Sequence, residues 1–191
     1  MSQTENSQPG QRGMAALAWW GGLQPLLPDG KPNQRADKGA LAELRRADVD
    51  AALMHRATMA LYQKLPGMRR EDLPRVATLA AVLATARQHE QGMPLARRLG
   101  VDRQKPDVPP RLSPLRLQRL LRADTPEDQL LAFRRAIQLT GGAGFDLVRL
   151  SRDLLDPTNA WRRRWVFDYH DAGGADPGST PPDAKTGDTA P

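Results

Sequence analysis

The sequence predicts an all-α fold, a compact bundle of roughly eight helices, on three observations. Between residues 14 and 170 apolar residues recur every three or four positions, and nothing alternates with period two for long enough to make a strand. Helix punctuation recurs over the same span. Ser113-Pro114, Thr125-Pro126-Glu127-Asp128 and Pro157-Thr158 each mark a helix start, and Gly141-Gly142 marks an end. At 191 residues and 39% hydrophobic, the chain holds enough apolar material for a real core, in one domain or two small ones.

The first helix is expected over about 14–20, stopped by Gly21-Gly22. Asp37 can cap a helix that opens "KGALAELRRA", and Asp48 or Asp50 leads into "AALMHRATMALYQKL", closed by Pro66-Gly67. Glu71, Asp72 and Pro74 form a first turn before "RVATLAAVLATARQHE", the most hydrophobic helix and the expected centre of the core. A short helix, "PLARRLG", precedes the Pro-rich connection "VDRQKPDVPP", and 101–112 is the best internal boundary if the bundle has two subdomains. Helices then follow from Ser113-Pro114 and Thr125-Pro126, in "DLVRLSRDLL", and over about 158–170.

The ends read differently. Residues 171–191 contain four Asp, one Lys, many Pro and Gly, and no large apolar residue. Such a stretch cannot bury enough surface to offset its ordering entropy and is expected to be a disordered acidic tail; residues 1–13 are expected to be disordered as well. The tail carries −3, which leaves +9 on residues 1–170 of a chain whose net charge is +6. The basic residues are 23 Arg and 5 Lys. The planar guanidinium fork matches phosphate oxygens and stacks on bases, so this balance favours an anionic partner, nucleic acid ahead of an acidic protein surface.

The arginines are patterned. In 41–47 and 130–136 the chain repeats L-x-x-[LF]-R-R-A, and 117–123 keeps the frame with Leu121 in place of the first Arg. On a helical wheel Arg46 lies across from Leu41 and Leu44 with Arg45 at the edge. Likewise Arg135 lies across from Leu130, Phe133 and Ile137 with Arg134 at the edge, and Arg116, Arg119 and Arg122 fall opposite Leu117, Leu120 and Leu121. A solvated face normally places Asp or Glu four residues from its Arg. These faces have few such partners, and an edge Arg that lays its stem over the core holds its head in a fixed place, which suits gripping a phosphate backbone.

Other chemistries find less support. The absence of Cys excludes disulfides, thiolate chemistry and Cys-ligated zinc. His55, His89 and His170 stand apart with no metal-binding spacing, "TGGAGFD" lacks the Lys-Ser/Thr of a phosphate-binding loop and reads as a helix–helix turn, and Asp146, Asp153 and Asp156 read as caps and solvated carboxylates. No Ser/His/Asp arrangement is signalled, so no catalytic residue, metal or cofactor is expected and the protein is not expected to be an enzyme. Trp19-Trp20 and the Trp161/Trp165 pair around "WRRRW" are expected to pack in the core or an interface rather than stack bases. The segment "PLARRLGVDRQ" looks like the opening of a helix-turn-helix regulator, but Pro106, Pro109 and Pro110 block the recognition helix that would have to follow. The alternatives are a helix-turn-helix-like DNA-binding regulator using 94–104 and a structural protein–protein adaptor. The most apolar stretch, "MAALAWWGGLQPLLP", is too short for a membrane span and contains two Pro, so a soluble cytoplasmic protein is expected.

Taken together, "KGALAELRRA", "RLSPLRLQRLLRADTPEDQLLAFRRAIQL" and "FDLVRLSRDLLDPTNAWRRRWVFDYH" resemble the CasB family, the small subunit of the type I-E CRISPR surveillance complex Cascade. The likeness covers roughly 14–170 and is carried by the order and spacing of the early Trp helix, the Leu-Arg-Arg segments, the L-[LI]-R-A-D motif at 120–124 and the late "DL…W" helix. The resemblance implies an all-α, non-catalytic subunit, present in two copies head to tail. It also implies that the protein sits beside the large subunit CasA and the backbone subunit CasC, against guide RNA and both strands of target DNA. The family's basic positions fall on Arg45 or Arg46, Arg111, Arg116, and Arg134 or Arg135, with Arg162 a weaker match. The mechanism implied is a role in antiviral defence by sequence-independent support of the guide–target duplex and of the displaced strand, while guide pairing reads the sequence.

Overall fold

A computed structural model describes residues 8–26, 30–102 and 107–170. Among these are ten α-helices, eight of them of seven residues or more, and no strand. In chain order they are α1 (Gln8–Leu23), α2 (Lys38–Arg46), α3 (Val49–Met54), α4 (Arg56–Lys64) and α5 (Leu73–Leu83), the last entered through a 3-10 turn at Arg70–Asp72. After these come α6 (Leu95–Leu99), α7 (Pro114–Leu121), α8 (Pro126–Gln138), α9 (Leu147–Leu155) and α10 (Trp161–His170). The all-α class is as the periodicity predicts.

Helix α5 is the centre, as its composition requires. Every residue from Val76 to Leu83 is buried, and α2, α3, α4, α8 and α9 all pack on it. A helix that is apolar all round can be stable only when surrounded. Side chains from both sides of the Pro-rich connection, Leu95 and Leu99 before it and Leu117 and Leu120 after it, belong to one core cluster, so 101–112 does not divide the apolar interior. Backbone bonding runs across it too, with the Leu112 N–H donating to the Leu99 carbonyl at 3.1 Å.

The caps explain where helices start. Asp37, Asp48, Ser113, Thr125 and Asp146 each accept a hydrogen bond from the backbone N–H three residues on. The Gly141-Gly142 pair turns the chain with positive φ values of 65° and 92°, a conformation glycine adopts without penalty.

Three of the expected helices change their limits. Helix α1 begins at Gln8, inside the segment expected to be disordered, and runs through Gly21-Gly22 to Leu23. Its first turns are tied down, because the Arg12 Nε donates to the Pro66 carbonyl at 2.8 Å and Gly13 lies against Val148 of α9. Its end survives the two glycines because the Asn33 side-chain amide donates to the carbonyls of Gly22 and Gln24, at 3.1 and 2.9 Å. The helix expected from 48 to 65 breaks at His55, which is extended (φ −76°, ψ 131°) and whose ring Nδ1 accepts from the Ala57 N–H at 3.1 Å. Helix α5 stops at Leu83 rather than near 90. Beyond it the chain runs alongside 145–146, with the Glu90 N–H donating to the Phe145 carbonyl at 3.0 Å and the Asp146 N–H to Met93 at 2.7 Å. Residues 1–7 and the acidic segment 171–191 lie outside the described residues.

Candidate nucleic-acid interface

The repeated Leu-Arg-Arg pattern resolves into two roles. In each pair the first, edge arginine crosses to the C-terminal end of a neighbouring helix. The Arg45 Nε donates to the Ala84 carbonyl at 2.6 Å, at the C-cap of α5. An Arg134 Nη donates to the Leu44 carbonyl at 2.7 Å, in the last turn of α2. The last carbonyls of a helix lack intrahelical donors and carry its negative dipole end, so a guanidinium there is doubly favoured. Burial pushes the Arg134 guanidinium below its usual value, opposed in part by Asp48, and its Nε has no partner. The fixed heads that the wheel places at the helix edges are thus spent on carbonyl oxygens.

Two further predicted residues behave alike. An Arg111 Nη donates to the Thr140 carbonyl at 2.9 Å, just past α8. An Arg162 Nη donates to the Ala123 carbonyl at 3.1 Å, just past α7, and to the Asp124 carboxylate at 2.6 Å, with its guanidinium over the Trp161 ring at 5.7 Å.

The second arginine of each pair is different. Arg46 and Arg135 are exposed, and among the described residues neither side chain makes a hydrogen bond or ion pair. Arg135 joins Arg116, Arg119 and Arg122, equally exposed and unpaired, along a groove of about 740 Å³ between α7 and α8. Its floor is apolar, with Leu112, Leu120, Ala136 and Leu139, and Leu131 forms a half-exposed lip. Asp128, in the first turn of α8, is the one carboxylate in the lining.

The groove's electrostatics come from its spacing. Arg116, Arg119 and Arg122 stand three residues apart, so neighbouring guanidiniums repel by a few tenths of a kcal/mol per pair, ~0.2–0.5. No Asp or Glu stands three or four residues from Arg116, Arg119, Arg122 or Arg135. An anion in the groove would relieve that repulsion, and four forks set over an apolar floor can take several oxygens at once. Leu115, Gln118 and Ala123 occupy positions where a solvated helix would carry acids.

Residues 40–170 match the family model of the CRISPR-associated protein Cse2. The chain belongs to the Cse2 family. Cse2 is the CasB small subunit of type I-E Cascade, a structural subunit in CRISPR defence, so the family is the one that the Leu-Arg-Arg segments and the late Trp helix resemble. The Cse2 match opens in α2, which leaves α1 and its Trp19-Trp20 pair outside the matched span. No curated protein and no solved structure matches the chain.

The other predicted features of this Cse2 chain fall into place as structure. All four tryptophans are buried, Trp165 packing edge-on against both Trp161 and Phe133, with Trp161 tilted against Phe133. Asp146 and Asp156 cap local turns as expected. Asp153 does not fit the solvated reading. It is buried between an Arg164 Nη at 2.9 Å and the Trp165 Nε1 at 2.8 Å, and desolvation raises its carboxyl above the ordinary value despite those donors. His55 is a helix cap that also bonds Glu43, and His89 Nδ1 accepts from the Leu147 N–H at 3.2 Å. No group of three or more metal-ligating side chains occurs among the described residues. Helix α6, the opening of the helix-turn-helix reading, has five residues, and the next described helix begins only at Pro114. Its Arg98 bonds the Gly144 carbonyl and Glu90. No described helix is long and apolar enough to cross a membrane.

Proposed function

We propose that the α7–α8 groove holds nucleic-acid backbone within the assembled complex, and that this is how the subunit supports the guide RNA–target DNA duplex and stabilises the displaced strand. The observation that carries the reading is the set of four unpaired guanidiniums, from Arg116, Arg119, Arg122 and Arg135, on one apolar-floored groove. Phosphates bind the forks through charge-assisted hydrogen bonds, sugars rest on Leu131 and Leu139, and no base edge is read. Arg46, exposed on α2, is a second contact point. Arg45, Arg111, Arg134 and Arg162 act mainly by holding helix ends, with Arg111 and Arg162 flanking the groove through their neighbours Leu112 and Ala123.

Strand exchange at a guided target is nearly balanced in free energy, so a few backbone contacts suffice to tip it. The partners proposed are guide RNA, both strands of target DNA, the large and backbone subunits CasA and CasC, and a second copy of this chain, in the cytoplasm. Exposed apolar side chains away from the groove, Met54 at 84% and Phe167 at 56% exposure, are the proposed protein contacts.

The test is the double substitution Arg116→Ala with Arg135→Ala in the assembled complex. Target binding and protection of the displaced strand from a single-strand nuclease should fall for every guide sequence, while this subunit's thermal midpoint stays within about 1–2 °C, as for exposed substitutions. Undiminished strand protection would show that the groove is ordinary solvated surface.

A further inference from the structure

The described chain ends beside the arginine groove, and the acidic segment 171–191 follows it in sequence. The Tyr169 hydroxyl donates to the Leu112 carbonyl at 2.6 Å, and the Tyr169 carbonyl accepts from the Val101 N–H at 2.8 Å. The packing there is backbone-tight, since a Cβ on Gly100 would run into the Tyr169 carbonyl. Leu112, the residue that Tyr169 grips, lines the groove. The last described residue, His170, is therefore pinned near the groove's rim and exposed.

The segment beyond His170 is matched to the groove in charge and reach. Residues 171–191 bring Asp171, Asp176, Asp183 and Asp188 against a single Lys185, and no large apolar residue that would seek a different surface. The groove offers four unpaired guanidiniums against one carboxylate. Fully extended, 21 residues span up to ~70 Å, so the whole groove is within reach. Tethering makes the encounter intramolecular, with an effective concentration on the order of millimolar, which lets individually weak carboxylate–guanidinium pairs compete with a ligand from solution.

We propose that segment 171–191 docks in the α7–α8 groove through its carboxylates and competes there with the anionic ligand. The docking stands on the groove and the segment alone; the competition rests on the nucleic-acid role proposed for the groove.

The chain has no cysteine, so Ala184→Cys gives a single attachment point for a nitroxide on the full-length protein. The amide signals of Gln118, Arg119, Arg135 and Gln138 should broaden, and those of Met14 and Arg152, on α1 and α9, should not. Asp171→Asn, Asp176→Asn, Asp183→Asn and Asp188→Asn together, or high salt, should abolish the broadening. Deleting 171–191 should tighten binding of oligothymidylate at low salt by about two- to ten-fold, the range a millimolar internal competitor allows. Broadening that is absent, or indifferent to the four substitutions, overturns the docking even if Arg116→Ala with Arg135→Ala still abolishes oligonucleotide binding. Broadening that is present, with an affinity unchanged by the deletion, upholds the docking and overturns the nucleic-acid assignment of the groove.

Discussion

Arg134 and Arg135 are adjacent on α8, yet replacing each with Ala should disturb different properties. The Arg134→Ala change removes a charge-assisted bond to the Leu44 carbonyl, worth about 1.5–3 kcal/mol, and a cation at the C-terminal end of α2, worth about 0.3–1 kcal/mol. Against this, it releases a half-buried guanidinium whose Nε has no partner, which returns part of the loss. The net expectation is roughly 1–3 kcal/mol of lost stability, or about 2–10 °C in Tm for a chain of this size. Arg135→Ala should change stability by no more than about 0.5 kcal/mol, because the side chain is exposed and touches no buried partner. Its effect should appear in binding instead. One phosphate contact fewer lowers the slope of log affinity against log salt by about 0.7 on single strands. Thermal unfolding followed by tryptophan fluorescence, and fluorescence anisotropy of a labelled oligothymidylate across a salt series, read the two quantities separately. An Arg134→Ala protein with unchanged Tm and a reduced salt slope would refute the division into structural and ligand-facing arginines, and so would an Arg135→Ala protein destabilised as much as its neighbour.

Two further outcomes are expected from buried features. Arg164→Ala leaves the Asp153 carboxylate with the Trp165 Nε1 as its remaining side-chain donor and should cost about 1–3 kcal/mol. The loss should shrink as pH falls. A carboxyl whose folded value lies above its unfolded one takes up a proton on folding between the two values, so stability rises as pH drops through that window; denaturant midpoints across mildly acidic to neutral pH measure it. Gly13→Ala would place a Cβ 2.7 Å from both the Val148 Cγ1 and the Val148 carbonyl, forcing α1 away from α9 at a cost of about 1–3 kcal/mol, checked by the shift in Tm.

The fold was legible where one physical signal dominated. Apolar spacing located α5 as the centre, and short polar caps located the starts of α2, α7, α8 and α9, since both effects are local. The boundaries that moved depend on distant partners. Nothing near Gly21-Gly22 reveals that Asn33 returns to take the carbonyls of Gly22 and Gln24, and nothing near His55 reveals that its ring serves as a cap. The candidate site divides in the same way. Counting missing acids marked Arg116, Arg119, Arg122, Arg134 and Arg135, because the lack of a partner within a helix is a local property. It did not separate the exposed ones from Arg45, Arg111 and Arg134, whose partners are backbone carbonyls, present at every residue and therefore invisible in a sequence, or from Arg162, whose partners Ala123 and Asp124 lie far along the chain. The exception in Leu-Gln-Arg-Leu-Leu-Arg-Ala is informative in retrospect. Where Leu121 replaces the first Arg of the pattern, no helix end is tied from that position, and the frame keeps only its outward cations.

Tying helix ends with guanidiniums has a further consequence for how an anionic partner arrives. A carboxylate clasping a Lys would fix two elements equally well but cancel a charge in doing so, whereas a carbonyl oxygen holds a guanidinium without neutralising it. Arg45, Arg111 and Arg134 therefore go on contributing to the long-range potential of the +9 body while serving as internal struts. Potentials of this kind draw a polyanion in from beyond the contact surface and raise association rates at low ionic strength. On the nucleic-acid role proposed for the groove, the residues that set the approach would then not be the ones that make the final contact, and the frame itself would do the steering.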